Sequence, residues 1–320
     1  MKRIWNAIFS VMVCLSSTLS LAQTYPEKPV RFIVPYAPGG PSDIIARLLG
    51  QRLSEMWKQA VIIENRPGAS GNVGTAQVAR SAPDGYTVLI NTSSVAVNTS
   101  LYVNPGYNLE KDFLGVANVA SSPNVIVAGS SLSVKNLREA TDKAKTGLLN
   151  YASPGAGTTP HLSAEYLFKV LAKVDVMHVP YKGAGPAINA ALTGEVQFAS
   201  VAMPAAVPFI KSGRLLGLAV TSAKRSLALP DVATVSESGF PGFEDYTWVG
   251  VFVPAATPIA IATRINADIE ELLGQADFRM RLANVGFEPS GGSLDNFARY
   301  IKSESSKWAK VVRETGVKTE

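Results

Sequence analysis

The chain has 320 residues, 47% of them hydrophobic and 17% charged, with a formal net charge of +5, one cysteine and two histidines. A single hydrophobic core rarely serves that length, so two lobes of roughly 100 to 150 residues are expected. The cysteine count excludes a disulfide-stapled scaffold, and no stretch beyond the N-terminus approaches the roughly 18 apolar residues of a membrane span.

In chain order, residues 1–22 read as an export signal: Lys2 and Arg3, an apolar run from Ala7 to Leu15, then Ser20-Leu21-Ala22 before cleavage at Gln23. The mature chain is therefore expected in the periplasm. Cys14 leaves with the signal; Val13 precedes it, where a lipoprotein signal needs a small residue. Loss of Lys2 and Arg3 lowers the formal charge from +5 to +3. The remaining Lys and Arg are scattered, and neither Arg279/Arg281 nor Lys224-Arg225 stands among aromatics, so nucleic acid is not an expected partner.

Strands and helices then alternate, the pattern of an α/β fold. Val30 to Val34 predicts a strand, and Asp43 to Met56 a helix with Ile44, Ile45, Leu48, Leu49 and Leu53 along one face. Ala60 to Ile63 and Thr87 to Ile90 predict two more strands. A second series comprises Val125 to Val127, Asn150 to Ala152, Val176 to Val179, Val196 to Ser200 and Leu215 to Val220, with helices around Lys135, His161, Ala187 and Ala205. After a strand from Trp248 to Val253 the pattern becomes purely helical. Thr257 is expected to cap a helix with Pro258 at its first position, running to Leu273, and an amphipathic helix from Leu294 to Thr315 ends the chain.

One feature recurs in both series. A strand runs through a glycine loop into a helix at Tyr36-Ala37-Pro38-Gly39-Gly40-Pro41-Ser42-Asp43, and again at Ser153-Pro154-Gly155-Ala156-Gly157-Thr158. Glycine lets backbone approach a ligand closely, and a first helical turn exposes unpaired N–H groups with a partial positive charge. Two such loops facing each other at strand ends would make an anion cleft. Neither has the lysine of a phosphate-binding Walker loop or the spacing of a dinucleotide fingerprint, which favours a carboxylate over a nucleotide. Three hydrogen bonds to a charged group, at roughly 1.5 to 3 kcal/mol each, approach the roughly 8 kcal/mol of micromolar binding before association costs.

No catalytic set accompanies these loops. There is no nucleophile elbow and no mature cysteine, and the histidines are spaced unlike a zinc site, so no catalytic residue, metal or cofactor is expected and the chain is not read as an enzyme. His161 faces the cleft or caps its helix start; His178 reads as structural. Asp43 caps a helix or meets an amino group on the ligand, and Lys182, after Tyr181, meets a ligand carboxylate or is solvated.

Tyr25-Pro26-Glu27-Lys28-Pro29-Val30, Val34 to Gly40 followed by Asp43, Glu64-Asn65-Arg66-Pro67-Gly68, Pro83-Asp84-Gly85-Tyr86, Val179-Pro180-Tyr181-Lys182-Gly183 and Lys307-Trp308 together resemble the tripartite tricarboxylate transporter substrate-binding proteins, the Bug-type receptors. Ala152 to Thr158 with His161-Leu162, and Leu229 to Val232 with Thr234, extend the resemblance over the mature chain. It implies a two-lobed periplasmic-binding-protein fold of type II, with mixed, mostly parallel sheets flanked by helices and a hinge between the lobes. Lobe I would be 23–122 plus 249–320, and lobe II 123–248.

The resemblance also implies a role: capture of a small organic carboxylate and delivery, as a monomer, to the integral-membrane permease subunits of a tripartite transporter. A periplasmic sensor presenting the carboxylate to a signalling partner is the alternative. Tyr36, Ala37, Gly39, Gly40, Ser42 and Asp43 would bind from the first loop, Ser93 and Ser94 from the loop after the third strand, and Ser153, Gly155, Gly157, Thr158 and His161 from the second lobe. Tyr181 and Lys182 lie at the expected cleft mouth, and Met203 in the expected distal pocket, where it would accept an apolar body.

Overall fold

The computed structural model describes residues 25–318; the expected signal peptide, 1–22, lies outside them. Strands β1 (Val30–Val34), β2 (Val61–Asn65) and β3 (Thr87–Thr92) form a parallel block in the order β2-β1-β3. A second parallel block has the order β7-β5-β6, from β5 (Leu149–Ser153), β6 (Val176–Pro180) and β7 (Phe198–Ala202). Two long strands join the blocks. β4 (Phe113–Ala128) runs antiparallel to β9 (Tyr246–Pro254) as far as Pro123, then from Asn124 onward pairs with β7 and with β8 (Leu216–Val220). Parallel pairing thus occupies the outer half of each sheet, where helical crossovers cover both faces. Antiparallel pairing occupies the middle, where one strand serves both lobes.

The parallel blocks need those crossovers, and their sequence supplies them. Helix α1 (Pro41–Trp57) starts with Pro41, whose fixed φ and missing N–H suit the first turn, and buries Ile45, Leu49 and Leu53 completely. That start lies two residues before the Asp43 expected from periodicity. α2 (Asn72–Ala79), α3 (Ser94–Leu101) and α4 (Leu109–Asp112) follow in the first lobe, and α5 (Leu137–Ala144), α6 (Thr159–Glu165), α7 (Ala184–Thr193) and α8 (Met203–Lys211) in the second. α6 continues as a π-helical segment, Tyr166–Leu171. Three helices close the chain in the first lobe: α9 (Ile259–Gly274), α10 (Ala276–Asn284) and α11 (Leu294–Thr315), with a two-residue strand, β10 (Glu288–Pro289), between the last two.

Each sheet is buried on both faces. Phe32, Leu49, Val251 and Ile269 belong to the cluster on one side of the first sheet, and Ile33, Trp248, Phe252 and Phe297 to that on the other. In the second lobe Ile188, Val201 and Val220 pack on one side, and Tyr151, Phe168 and Phe198 on the other. Truncating a side chain such as Leu49, with no exposure at all, costs roughly 2 to 5 kcal/mol through lost burial and the cavity left behind.

Several boundaries differ from the sequence expectation. β7 begins at Phe198 rather than Val196 and ends at Ala202, and β4 starts twelve residues before the expected Val125. Pro258 is the N-cap of α9 rather than its first residue, and the Thr257 hydroxyl caps nothing; it is buried without a partner. The helices at 72–79, 94–101, 109–112 and 276–284 carry weak or short apolar periodicity and were not expected individually. Among the described residues, no helix is long and apolar enough to cross a membrane.

Candidate functional site

Where the two lobes meet, the starts of five helices converge. The N-caps of α1 (Gly40), α6 (Thr158) and α8 (Ala202), and the first residues of α7 (Ala184) and α3 (Ser94), line one small cavity. None of these five N-termini is capped by a side-chain hydrogen bond. Elsewhere Asn108, Asn136 and Ser293 cap α4, α5 and α11 with their side chains, while α2, α9 and α10 also lack a side-chain cap; what sets the five apart is that their starts meet at one cavity. A first turn without a side-chain cap leaves N–H groups without intrahelical partners and a partial positive charge, although in α1 the first-turn Asp43 sets its own charge against that end and the Ser94 amide of α3 donates to the Thr92 hydroxyl. The cavity brings several such turns together with no charged side chain in its lining.

The remaining wall is hydroxyls and small apolar residues. Ser42, Thr92 and Thr247 add hydroxyls, and Pro41, Pro154 and Pro160 supply rigid surface without N–H donors. The Ser42 hydroxyl is fully buried and has no partner, which costs about 1 to 3 kcal/mol unless a ligand or water supplies one. Thr92 and Ser94 hydroxyls lie 3.1 Å apart, and the Tyr36 hydroxyl donates to the Ser70 carbonyl at 3.0 Å. Burial pushes the Tyr36 phenol up to about 12, so it remains a neutral donor. The cavity measures about 20 Å³, room for about one water; the lobes are shut around it.

A larger space adjoins it. Tyr36 and Pro154 are shared with an outer cavity of about 260 Å³, whose walls include Ser70, Tyr102, Gly155, Tyr181 and Lys182. Its lobe I wall is a tight loop in which Ala69 and Ser70 hold left-handed backbone (φ 45° and 53°) between Gly68 and Gly71. Such conformations cost of order 1 kcal/mol each and persist where surrounding contacts over-determine them.

Direct bonds hold the lobes in this closed arrangement. The Ala37 amide donates to the Lys182 carbonyl at 2.9 Å. The Ser93 and Thr159 hydroxyls lie 3.2 Å apart, and Tyr102 donates to the Ala156 carbonyl at 3.2 Å. A side chain on Gly185 would stand 2.6 Å from the Pro38 carbonyl oxygen. Glycine there is required by the close approach of the two backbones.

The expected site residues therefore separate into groups. Tyr36, Gly40, Ser42, Ser94 and Thr158 line the inner cavity, and Gly155, Tyr181 and Lys182 the outer one. Others stand behind the loops and support them. Asp43 accepts from the Gly39 amide, from Arg47 through both carboxylate oxygens, and from Asn65. Burial disfavours its charge, but the bonds from Arg47, Gly39 and Asn65 more than offset that and hold its pKa below the ordinary value. Asp43 and the Gly39 amide are thus occupied by one another, and Ala37 and Ser93 by bonds across the cleft, so none of the four lines either cavity.

The second loop is supported differently. His161 accepts from the Gly157 amide through Nδ1 at 3.0 Å, and its ring stacks on His178 with centroids 3.9 Å apart. The Nε2 of His178 lies 2.6 Å from the Ser153 hydroxyl, which in turn accepts from the Gly155 amide. Burial pushes both histidines down to about 3, assisted for His161 by Lys169 and for His178 by its neighbour His161, so both are neutral. His161, Gly157 and Ser153 consequently shape the loop from inside lobe II and do not reach the cavities.

Two expectations are corrected in position. Met203 is fully buried among the second-lobe core residues, with its terminal methyl reaching Gly286 of the first lobe, because the first turn of α8 rotates it away from the cavity; Ala202 lines the cavity instead. Gly39 and Gly155 do not face each other. Gly39 and Gly40 oppose Gly185 and Ala184, while Gly155 opposes Ser70. Thr92, Ala184 and Thr247 were missed: no motif flags a lone threonine, although Ala184 follows directly on Tyr181-Lys182-Gly183 at a helix start. Among the described residues no group of three or more His, Cys, Asp or Glu is placed to hold a metal ion.

Comparison with known proteins supplies the context for this geometry. Residues 45–317 match the model of the tripartite tricarboxylate transporter family receptor. The chain is 37% identical over 301 residues to the protein BugT of Bordetella pertussis, spanning 93% of this chain and 92% of that one. Among solved structures, Rpa4515 of R. palustris with adipate superposes with a TM-score of 0.89 at 35% identity, over 92% of this chain and 99% of that chain. The periplasmic binding protein BugD gives 0.88 at 32% identity, over 92% and 100%.

Proposed function

The chain belongs to the tripartite tricarboxylate transporter receptor family, a class of substrate-binding receptors, and from that premise we propose that it captures a small organic carboxylate between its lobes and delivers it to the membrane subunits of such a transporter. The observation that carries this reading is the convergence of five helix N-termini without side-chain caps on one cavity that contains an unpartnered, buried Ser42 hydroxyl. A carboxylate head group there would accept hydrogen bonds from first-turn amides of α1 and α3 in the first lobe and α6, α7 and α8 in the second. Ser42 and Ser94 would supply hydroxyl donors, while Thr92, Thr158 and Thr247 already donate to Ser94, the Gly155 carbonyl and Asn124 and would line the wall. Charge-assisted bonds of this kind are about twice as strong as neutral ones, so no cationic side chain is required.

The remainder of the ligand would extend into the outer cavity toward Tyr102, Tyr181 and Lys182. That division fits an adipate-sized acid, the ligand of the R. palustris relative. Because the inner cavity is shut to about one water, capture would require the lobes to part and reclose. Lobe I would comprise 23–122 plus 249–320 and lobe II 123–248, with the hinge at the two crossings where β4 passes Pro123 and β9 begins at Tyr246. Export to the periplasm, with cleavage near Ala22-Gln23, binding without turnover, and a monomeric receptor complete the proposal.

A thermal-shift screen of the mature chain tests it with adipate, succinate, citrate, benzoate and the diamide of adipate. At least one carboxylate should raise Tm by several degrees while the diamide does not. Equal stabilisation by acid and amide, or none by any acid, would refute the carboxylate reading.

A further inference from the structure

On another face of the lobe junction lies a crevice of about 200 Å³ that the carboxylate reading does not use. Its walls come from both lobes: Leu162, Ser163 and Tyr166 at the end of α6, Phe243 and Asp245 before β9, and Trp308 with Val311 on α11. The aromatic surface is held firmly. The Tyr166 and Phe243 rings pack at 6.2 Å, and the Trp308 indole N–H donates to Glu304, which also accepts from Trp248.

At the base of this apolar crevice is a carboxylate. Asp245 is only 5% exposed. One of its oxygens accepts from Asn124 Nδ2 at 2.7 Å and from the Ser163 hydroxyl; the other, Oδ1, is buried without a well-formed hydrogen bond, and the Tyr246 backbone N–H is close enough to favour the charged carboxylate. Burial pushes the Asp245 carboxyl up to about 6, with the Ser163 bond and the charge of Lys307 opposing that rise. The acidic Glu244 and Glu314 also line the crevice, against one cation, Lys307. The Lys307 ammonium already sits over the Trp308 ring, 5.2 Å from its centroid, and lies 3.5 Å from Glu304.

We propose that this crevice is a second binding site, for a small organic ammonium ion, with its charged head on Asp245 Oδ1 and its apolar body against Tyr166, Phe243 and Trp308. A buried carboxylate oxygen without a well-formed hydrogen bond gains most from a charged donor, and aromatic faces attract the same charge. Asp245, Glu244 and Glu314 are not placed together as metal ligands, since among the described residues no three acidic, His or Cys side chains are, and a hydrated metal ion would need several oxygen ligands.

The site is also connected to the carboxylate cavity. Thr247, which lines that cavity, donates to Asn124 Oδ1 at 2.7 Å, and the same Asn124 side chain donates to Asp245. Thr247 further lies 2.6 Å from Thr159, whose hydroxyl faces Ser93 across the lobes. Two hydrogen bonds therefore separate the two sites, and both lobes form the walls of each. Occupancy of the crevice biases lobe closure, and hence carboxylate affinity. This coupling rests on the proposed function; the binding site itself does not.

The test uses the mature chain labelled with ¹⁵N-tryptophan, n-butylammonium as probe and 1-butanol as neutral control. A saturable shift of the Trp308 indole resonance is expected at millimolar butylammonium, absent with butanol, and weakened at least about tenfold in Asp245→Asn. Val311→Trp, which fills the crevice without touching the acid, should abolish it. No saturable shift up to about 50 mM, or equal affinity in both variants and the parent, would overturn the site. Calorimetry with adipate in saturating butylammonium then reads the coupling: a change of at least about threefold is expected, matched by the same factor in butylammonium affinity when adipate is bound. Unchanged adipate affinity would overturn the coupling while leaving the site standing. If adipate fails to bind at all, the carboxylate reading falls and the Trp308 titration still decides the crevice.

Discussion

The two glycine loops present the same face to the cleft and are held from behind by opposite means. In the first lobe a buried, ionised Asp43 gathers the Gly39 amide, Arg47 and Asn65. In the second, neutral His161 and His178 do the same for Gly157 and, through Ser153, for Gly155. What the two lobes share is the side turned toward the inner cavity, where the proposed carboxylate would sit: helix starts and hydroxyls without formal charge in the lining. If the cavity is the proposed anion site, the lining would be closely constrained while the support behind it is left to whichever side chain completes the backbone's hydrogen bonds.

The contrast predicts different acid sensitivity in the two supports. Histidines at about 3 in the folded chain bind fewer protons than they do unfolded, near 6.5. Their contribution to stability is complete above that value and is lost as pH falls toward 3. At about 1.4 kcal/mol per pH unit for each group, unfolding free energy should drop by roughly 2 to 5 kcal/mol between pH 6.5 and 4.5. The variant His161→Asn/His178→Gln keeps a hydrogen-bonding atom near each ring nitrogen and should flatten that slope. Urea titrations across this range measure it, and an unchanged slope in the variant would break the comparison.

Asp43 behaves differently, because its folded pKa is depressed. Its stabilisation is complete above the ordinary carboxylate range, near 4, and is lost only as pH falls through the lower folded value. Asp43→Asn should cost about 2 kcal/mol at pH 7, with the difference from the parent shrinking below pH 4 and not between 6.5 and 4.5.

The smallest effects sharpen the comparison at the cleft itself. Gly185→Ala places a methyl 2.6 Å from the Pro38 carbonyl, so closure should be impeded and carboxylate affinity should fall at least about tenfold, about 1.4 kcal/mol, with Tm nearly unchanged. Gly40→Ala, at an ordinary φ of −89° and 3.7 Å from Ala184, should alter affinity less than about threefold. Calorimetry on both variants checks the pair, and the reverse ranking would mean the lobes do not close as described.

Much of this was legible in the sequence where local chemistry decides structure. The strand at Val30–Val34, the long helix at Leu294–Thr315 and both glycine loops are local features, and they occur where composition and periodicity put them. Partners across the cleft were not legible. Gly39 facing Gly185, or Ser93 meeting Thr159, depends on how two lobes pack, and nothing in either segment specifies the other. Met203 shows the limit within one element: its type suits a pocket wall, but the first turn of a helix turns it into the core. His161 was placed at the right helix start, yet whether it faced the ligand or the loop depended on His178, seventeen residues away, stacking on it.

The central claim is that uncharged amides and hydroxyls hold the carboxylate without a cationic side chain. Calorimetry of hexanoate against hexanamide, whose chains put no second carboxylate at Lys182, in the parent and in Lys182→Ala, tests it most directly. The account predicts a preference for the acid of at least about a hundredfold, from three charge-assisted bonds each worth about 1 kcal/mol more than neutral ones, retained in Lys182→Ala. Loss of that preference when Lys182 is removed would contradict it.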